Sequence, residues 1–473
     1  MRKVESYMKK FFTILALGLA LVATSCNKWL DINTNPNYVA DAEIENILPA
    51  VQLLAADKVG YELSLYGTFW SQYVVQNSSS NQYYTIMTAD VTNSSFTGPW
   101  SYFYAQVLPG LREINEKAVA NKKASNYILV CNTLLSYSLY LLTSLYDEVA
   151  YTEGYVGKSL TPHFDSGKDM QATIIGLLES VRSMDPEQAK ADENSTPLVG
   201  HDMIFDGDID AWVQFANTLY LKVLLRDFNA NKTKIQALLE EDNLLADDAA
   251  FDNFMDAADK SNPFYESDRR QLNTTANIRC CSDILNVLSE NDPRLYYFYD
   301  QNPGGQVMGG PYGTSAKPAN TSRLALYADE PVYFGTADEA EFLKAEAYAR
   351  LGDAVNAQAC YEAAIAAAFA RVGAKGAEEF LAGDYAFKAG SSEEMLEQII
   401  NQKWAANVHG LPWESWFDLN RTGYPVRGTT ITDNHGVLES GYPVRFIYSK
   451  TSADYNPNSP APVAVNVKMW WHK

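Results

Sequence analysis

Apolar residues recur at helical spacing along most of this chain, and this periodicity constrains the fold more than any other feature. In residues 42–76 the apolar positions lie about 3.6 residues apart, which is the spacing of one buried helix face. They are Ile44, Ile47, Leu48, Val51, Leu54 and Ala55. Similar periodicity predicts helices over 100–120, 124–146, 169–183, 211–228, 234–241 and 339–370, and from Ser391 or Ser392 to Asn407. The sequence therefore predicts a mostly α-helical protein.

A helical hairpin is predicted over 339–370, with its turn at Leu351-Gly352-Asp353. Small residues alternate with aromatic ones along it, in the order Ala345, Tyr348, Ala357, Tyr361 and Ala364. Small side chains let two helices approach closely, and the rings fill the space between them. This spacing is typical of tetratricopeptide repeats. An ordinary alanine-rich hairpin is the alternative interpretation.

The middle of the chain, residues 247–335, has a different composition. It is rich in Asn, Asp, Pro and Gly, and it shows one helical pattern, near 283–289. Irregular stretches of this length in a compact fold are often functional. We therefore expect one body with a helical part over 42–246, an irregular part over 247–335, and the tetratricopeptide-like hairpin and C-terminal part over 336–473.

The N-terminus is typical of a bacterial lipoprotein signal. Basic residues precede a 13-residue apolar run, 11–23, which is shorter than the roughly 20 residues of a membrane-spanning helix. The run ends in Ala23-Thr24-Ser25-Cys26, so 1–25 is predicted to be the signal peptide and Cys26 the lipidated residue. Residues 26–41 would form a polar tether. The alternative is an ordinary secretory signal with an incidental cysteine.

Charge and cysteine content exclude some classes of protein. The chain has 37 Lys and Arg against 58 Asp and Glu, a net charge of −21, which argues against nucleic acid as a partner. Cys131 and Cys360 lie in apolar helical stretches and are predicted to be buried thiols. The adjacent Cys280 and Cys281 leave a vicinal disulfide open.

No catalytic, metal or cofactor site is predicted. None of the five histidines lies in an HExxH pattern, and no Gly-x-Ser-x-Gly sequence occurs. The acidic series over 247–259 is interpreted as a solvated helix face rather than glycosidase carboxylates or calcium ligands. Asp206-Gly207-Asp208 and Asp210 precede the predicted helix at 211, which favours a helix cap over a calcium loop.

Five blocks spread over nearly the whole chain point to a known family. They are 30–37 (LDINTNPN), 146–153 (YDEVAYTE) with 162–165, 206–221, 341–353 and 403–423. In sequence and order they resemble the SusD/RagB family of outer-membrane lipoproteins from Bacteroidetes-type bacteria, especially the branch with the LDINTNPN opening. Asp147 stands where that family usually has Gly, and Ala150 where it usually has Pro. The loop at these positions is therefore expected to differ in shape.

The resemblance implies a tetratricopeptide-like helical body with an irregular ligand-binding sub-domain. It also implies a role: a lipid-anchored, surface-exposed outer-membrane protein that captures a nutrient, most often an oligosaccharide, and delivers it to a SusC-like TonB-dependent transporter. Some family members take peptides. No enzyme activity and no cofactor are implied.

Sugar rings stack on exposed aromatic side chains while their hydroxyls pair with amides and acids. Two polar, aromatic-containing segments fit this chemistry, 76–84 and 264–312. The candidate ligand-binding rings are Tyr83, Tyr84, Trp100, Tyr265 and Tyr312. Each of them has the alternative of being a packed ring beneath a loop.

Two other classes of function remain open from sequence. An outer-membrane glycan-degrading enzyme would need two carboxylates about 5–10 Å apart in a cleft. A tetratricopeptide scaffold would instead bind proteins on a concave helical surface.

Overall fold

The computed structural model describes residues 42–473 apart from 158, 273–275, 315–318, 428–430, 433, 435–437 and 439–440. Cys26, the tether and the LDINTNPN block therefore lie outside the described residues. Residues Ile44–Lys473 form one compact unit.

Helices dominate the first half of this unit. Its α-helices are α1 (Ile44–Lys58), α2 (Ser64–Trp70), α3 (Tyr84–Met87), α4 (Thr97–Tyr102), α5 (Leu108–Ala120), α6 (Ser125–Tyr146), α7 (Gly167–Arg182), α8 (Pro186–Asp192), α9 (Ile209–Leu225) and α10 (Phe228–Glu241). Two π-helical turns, Val59–Leu63 and Phe103–Val107, join α1 to α2 and α4 to α5, and a 3₁₀ turn, Asn93–Phe96, precedes α4. The predicted helix over 42–76 ends at Trp70 and is followed by a strand, β1 (Val74–Gln76).

The middle of the chain is irregular, as predicted from its composition. It contains β2 (Ala249–Phe251), α11 (Pro263–Tyr265), a π-helical turn (Glu266–Gln271), β3 (Ile278–Cys280), α12 (Ile284–Val287), α13 (Leu295–Phe298) and β4 (Val332–Gly335). The strands form two antiparallel pairs, β1 with β3 and β2 with β4. The expectation that the acidic series over 247–259 forms a helix face is wrong, because this stretch is a short strand followed by turns.

Helices return in the last part of the chain, as the periodicity predicts. They are α14 (Ala337–Leu351), α15 (Ala354–Arg371), α16 (Ala377–Leu381), α17 (Ser392–Ala406), a 3₁₀ turn (Asn407–His409), α18 (Pro412–Thr422) and α19 (Lys450–Tyr455). The predicted cap is present, since Asp208 accepts a hydrogen bond from the Ala211 N–H. At the predicted helix start at Ser391 or Ser392, Ser391 and Glu394 form a capping box.

The predicted hairpin is formed by α14 and α15. Gly352 ends α14 with φ = 82°, a left-handed conformation that glycine adopts without steric cost. Ala345, Ala357 and Ala364 are fully buried, and Tyr361 is 3% exposed. The small residues are thus buried in a hairpin whose two helices pack closely against each other, as the tetratricopeptide-like pattern predicts.

Helix α6 is the most apolar element of the core. Among the described residues it is the one helix long and apolar enough to cross a bilayer, but 89% of its most apolar stretch is buried inside the protein. It packs between α5 and α7. Cys131 on α6 is buried, and the buried Cys280 and Cys281 are free thiols rather than a disulfide.

A buried ionic network joins α9, α14, α17 and α18. Lys222 Nζ lies 2.9 Å from Glu339 Oε2 and 3.2 Å from Glu414 Oε1, and Lys403 Nζ lies 2.9 Å from Asp418 Oδ2. Burial disfavours the Asp418 carboxylate, but Lys403 and a neighbouring arginine outweigh this and lower its pKa to about 2.

The network continues to the end of α18. The Arg421 guanidinium lies 2.7 Å from Asp418 Oδ1 and 2.7 Å from Glu346 Oε2. Burial opposes the charge on Arg421, but the two carboxylates outweigh it and raise its pKa. Each buried charge thus has an opposite charge beside it.

Removing one member of this network should destabilise the fold strongly. Arg421→Met keeps much of the apolar stem but leaves the Glu346 and Asp418 carboxylates short of a cation, which should cost about 3–5 kcal/mol in the free energy of unfolding. Urea denaturation measures this loss. Lys450→Met is the control, because Lys450 forms an exposed pair with Asp454 and its removal should leave the midpoint unchanged. Equal midpoints for both variants would contradict the prediction.

The loop after α6 departs from the family pattern at the two positions noted in the sequence. Asp147 adopts φ = 74° and ψ = −79°, a strained backbone conformation for a residue with a Cβ, which accounts for the usual Gly. Burial also raises the pKa of its carboxyl group. The Ala150 N–H, which a proline would lack, donates a hydrogen bond to the Tyr104 hydroxyl at 2.8 Å.

Asp147→Gly should stabilise the protein. Relief of the backbone strain should exceed the entropic cost of a glycine and raise the free energy of unfolding by about 1 kcal/mol. Thermal unfolding measures the shift. Asp147→Ala removes the same carboxylate but keeps the Cβ, so a gain in both variants would assign the effect to charge rather than to backbone strain.

Candidate functional site

A cavity of about 740 Å³ opens among loops of the irregular part of the chain. Its size is within the range of small-molecule binding sites. We call it the polar cleft, and its lining comes from residues 77–79, 276, 279, 300–303 and 319–323. Most of these residues carry amide, hydroxyl or charged side chains, so the cleft is suited to a ligand rich in hydrogen-bonding groups.

Strand pairing brings the walls of the cleft together from distant parts of the sequence. Val75 of β1 lies opposite Arg279 of β3, and Arg279 forms an antiparallel bridge with Arg323. The Leu324 N–H donates to the Ile278 carbonyl at 3.1 Å. The same β1–β3 pairing places Gln76 opposite Ile278 and so joins the two segments that the sequence singled out, 76–84 and 264–312.

The first wall is the turn that follows β1. Asn77 fixes its shape: the Asn77 N–H donates to the Asn277 carbonyl at 2.7 Å, and the Asn77 side-chain amide donates to the Ala276 carbonyl at 2.8 Å. The Asn77 Oδ1 accepts from the Ser79 N–H at 3.0 Å, a local bond that favours a turn. Ser78 and Ser79 are exposed at its tip.

The second wall is formed by residues 300–303 and 319–323. The Asn302 Oδ1 accepts from the Gly304 N–H at 2.9 Å and from the Gln306 N–H at 3.1 Å, which closes a tight loop. Gly305 has φ = 77°, a conformation that favours glycine at this position. Gln301 and Asn320 are exposed beside it, so their amides are accessible to a ligand.

Arginines dominate the charge of the cleft. Arg323 Nε donates to Asp300 Oδ2 at 2.7 Å, and Arg279 donates from a guanidinium nitrogen to the Thr321 carbonyl at 3.1 Å. Burial and the nearby Arg323 lower the pKa of Arg279. Burial and the same neighbour lower the pKa of Arg269, which lies behind this wall, to about 10. The site is therefore electropositive.

None of the five predicted ligand-binding rings lines the cleft. Tyr83 is 3% exposed, Trp100 is 6% exposed and Tyr312 is fully buried, so these three rings lie in the core and offer little or no face to a ligand. Trp100 stacks on Phe164 with ring centroids 5.5 Å apart. Their burial does not match the expectation of exposed platforms.

The other two predicted rings keep some accessible surface. Tyr84 and Tyr265 are half-buried, and Tyr84 packs against the core. Arg270 lies over the Tyr265 ring at 5.3 Å from its centroid. Tyr265 thus has a cation against one face, and neither ring reaches the lining of the polar cleft.

Sequence reasoning missed the arginines that the cleft does contain. Arg279 and Arg323 are each a single charged residue within an uncharged stretch, Ile278-Arg279-Cys280-Cys281 and Ser322-Arg323-Leu324. An isolated arginine inside a strand-like stretch was the available signal. Their proximity depends on a pairing across 44 residues of irregular chain, which no local pattern reveals.

Among the described residues that line the cleft, Asp300 is the one carboxylate, and it is paired with Arg323. These residues show no arrangement typical of catalysis. Within the described part of the chain, no group of three or more His, Cys, Asp or Glu is arranged to hold a metal ion. His409 is buried against Glu330 at 2.8 Å, a structural contact outside the cleft.

A second groove, of about 530 Å³, lies on the helical body and contains Trp470 and Trp471. Its charged residues largely pair with one another or with the buried network: Lys473 Nζ lies 2.7 Å from Glu393 Oε1, and Arg421 bridges Glu346 and Asp418. It therefore offers fewer free polar groups than the polar cleft.

The sequence and the fold both match a known protein family. A family model described as SusD-like, starch-binding associating with outer membrane, matches residues 36–449. The chain belongs to the SusD/RagB family. No curated protein sequence matches this chain significantly.

Solved SusD-like structures share the fold. A SusD homologue from Bacteroides uniformis superposes with a TM-score of 0.71 at 22% identity, covering 90% of this chain and 99% of that one. A chitin-binding SusD homologue from Flavobacterium johnsoniae gives 0.72 at 20% identity, covering 90% and 98%. A SusD-like protein from Bacteroides thetaiotaomicron gives 0.72 at 18% identity, covering 88% and 93%. At these identities the likeness concerns the fold.

Proposed function

We propose that this SusD-like protein is a lipid-anchored binding protein of the outer cell surface. It captures an oligosaccharide in the polar cleft and delivers it to a SusC-like TonB-dependent transporter. The observation that carries the proposal is the cleft itself, with exposed hydroxyl and amide groups on loops held by a helical body. Sugar hydroxyls pair well with such groups.

The family supports a glycan as the ligand. The family model carries the description starch-binding, and one of the similar structures is a chitin-binding homologue. The described lining of the cleft holds a single carboxylate, which is paired with Arg323, and this favours binding over hydrolysis, since glycosidases use two carboxyl groups. The glycan-degrading enzyme is therefore the weaker alternative for this cavity.

Blocking the cleft should weaken capture. The chain lacking residues 1–26 keeps the compact unit Ile44–Lys473 whole, and glycan and peptide arrays on this form should show glycan binding. Ser78→Trp places a bulky ring at the exposed turn and should weaken binding at least about tenfold by filling the cavity. Calorimetric titration of the best array ligand measures the loss.

Ser180→Trp is the matched control, because Ser180 is exposed on α7 and lies outside the cleft. It should leave the affinity unchanged. Equal affinities of wild type and Ser78→Trp would remove the polar cleft as the binding site. Binding of peptides alone would replace the glycan by a peptide ligand.

The anchor has its own test. Full-length protein expressed in a bacterium with lipoprotein processing should incorporate labelled palmitate and fractionate with the outer membrane. Cys26→Ser should lose both properties, because the thiol that carries the lipid is gone. Cys131→Ser is the control, since Cys131 is a buried thiol of the core. Palmitate label that persists in Cys26→Ser would contradict the anchor.

A further inference from the structure

Two arginines of the polar cleft face each other across a strand pairing. Arg279 and Arg323 form an antiparallel bridge, so their Cα atoms are direct cross-strand neighbours. Like charges in this position repel, and the arrangement destabilises a sheet unless an anion lies between them or beside them. The protein itself must supply that anion, or a ligand must.

The described residues supply too little negative charge at this place. Asp300 pairs with Arg323 at 2.7 Å, and Asp268 pairs with Arg269 behind the wall. Arg279 has a carbonyl oxygen as its hydrogen-bond partner, and its Nε is buried without a partner in the described structure. The described lining of the cleft thus holds two arginines and one carboxylate.

This excess stands out against the rest of the chain. Acidic residues outnumber basic ones by 58 to 37, so a cation-rich cavity is not a consequence of overall composition. Arg323 is also accessible, with 53% of its side chain exposed. An anionic ligand group can therefore reach the guanidinium from solvent.

The chemistry of the lining indicates which anion fits. A guanidinium presents two parallel N–H donors, which match the paired oxygens of a carboxylate or a sulfate. Ser78, Gln301 and Asn320 surround this charge with neutral hydrogen-bonding groups that suit sugar hydroxyls. Among the described residues that line the cleft, none carries an aromatic ring that could stack on a neutral sugar.

We propose that the polar cleft selects acidic oligosaccharides, and that Arg279 and Arg323 bind the carboxylate or sulfate group of the sugar. This inference rests on the proposed function, since it names the class of glycan that the same cleft captures. A neutral glycan would leave the Arg279 charge uncompensated, whereas an acidic one neutralises it.

Matched ligands test the charge alone. Binding of an oligogalacturonate hexamer is compared with its fully methyl-esterified form, and a sulfated galacto-oligosaccharide is compared with its desulfated form. Wild-type protein should bind at least one acidic member about tenfold or more tightly than its neutral partner. The two pairs distinguish a carboxylate from a sulfate ester. Inorganic sulfate at the same concentration should compete weakly, because it lacks the sugar hydroxyls.

Variants test the residues. Arg323→Gln and Arg279→Gln should each reduce the preference for the acidic member to about threefold or less, with a smaller effect on the neutral one. Lys450→Gln removes one positive charge at a side chain of the same 53% exposure and should leave the preference unchanged. Thermal unfolding of each variant verifies that it is folded. If Arg279→Gln is not folded, Arg323→Gln alone tests the assignment.

The outcomes separate the two proposals. If the neutral and acidic members bind equally and Ser78→Trp still blocks binding, the acidic preference is overturned but the glycan-capture function is kept. A preference that survives both arginine variants would also overturn the assignment. Absence of binding to every glycan tested on the array would overturn both proposals.

Discussion

The buried ionic network of the helical body is the interaction on which the rest of the structure depends. Hydrophobic contacts supply most of the free energy that holds helices together and are non-directional, whereas a buried charge costs free energy unless an opposite charge lies beside it. The contacts of Lys222 and Lys403 with Glu339 and Asp418 therefore constrain how α9, α14, α17 and α18 lie against one another.

This fixed body positions the cleft through direct contacts. On α17, the Trp404 indole N–H donates to the Ser71 carbonyl at 2.9 Å, which holds the chain just before β1. On α2, a Cβ at Gly67 would lie 2.4 Å from the Trp413 backbone nitrogen, so α2 approaches α18 more closely than any other residue allows. β1 and the turn at Asn77 thus start from a rigid base, although the turn itself is irregular.

Local patterns in the sequence predicted the helical body but not the site. The helical body has local signals, namely the helix caps at Asp208 and Ser391 and the alanines of the α14–α15 hairpin. Each signal involves residues within one or two turns of helix, which is sufficient to predict a helix. The cleft arises from long-range pairing of irregular segments, which has no such local signature. Tyr312 illustrates the same limit. A ring beside a glycine-rich loop can bind a ligand or pack in the core, and the rest of the chain determines which of the two occurs. Here Tyr312 is buried.

The walls of the cleft are joined to the body by strands of three residues each. This short connection affects how binding proteins of this fold can diversify. Few backbone bonds tie the recognition loops to the helices, so the loops can change in length and sequence while the helical frame persists. The similar structures share this frame at 18–22% identity. New ligand specificity can then arise by exchange of a few loop residues on an inherited frame, without a new fold.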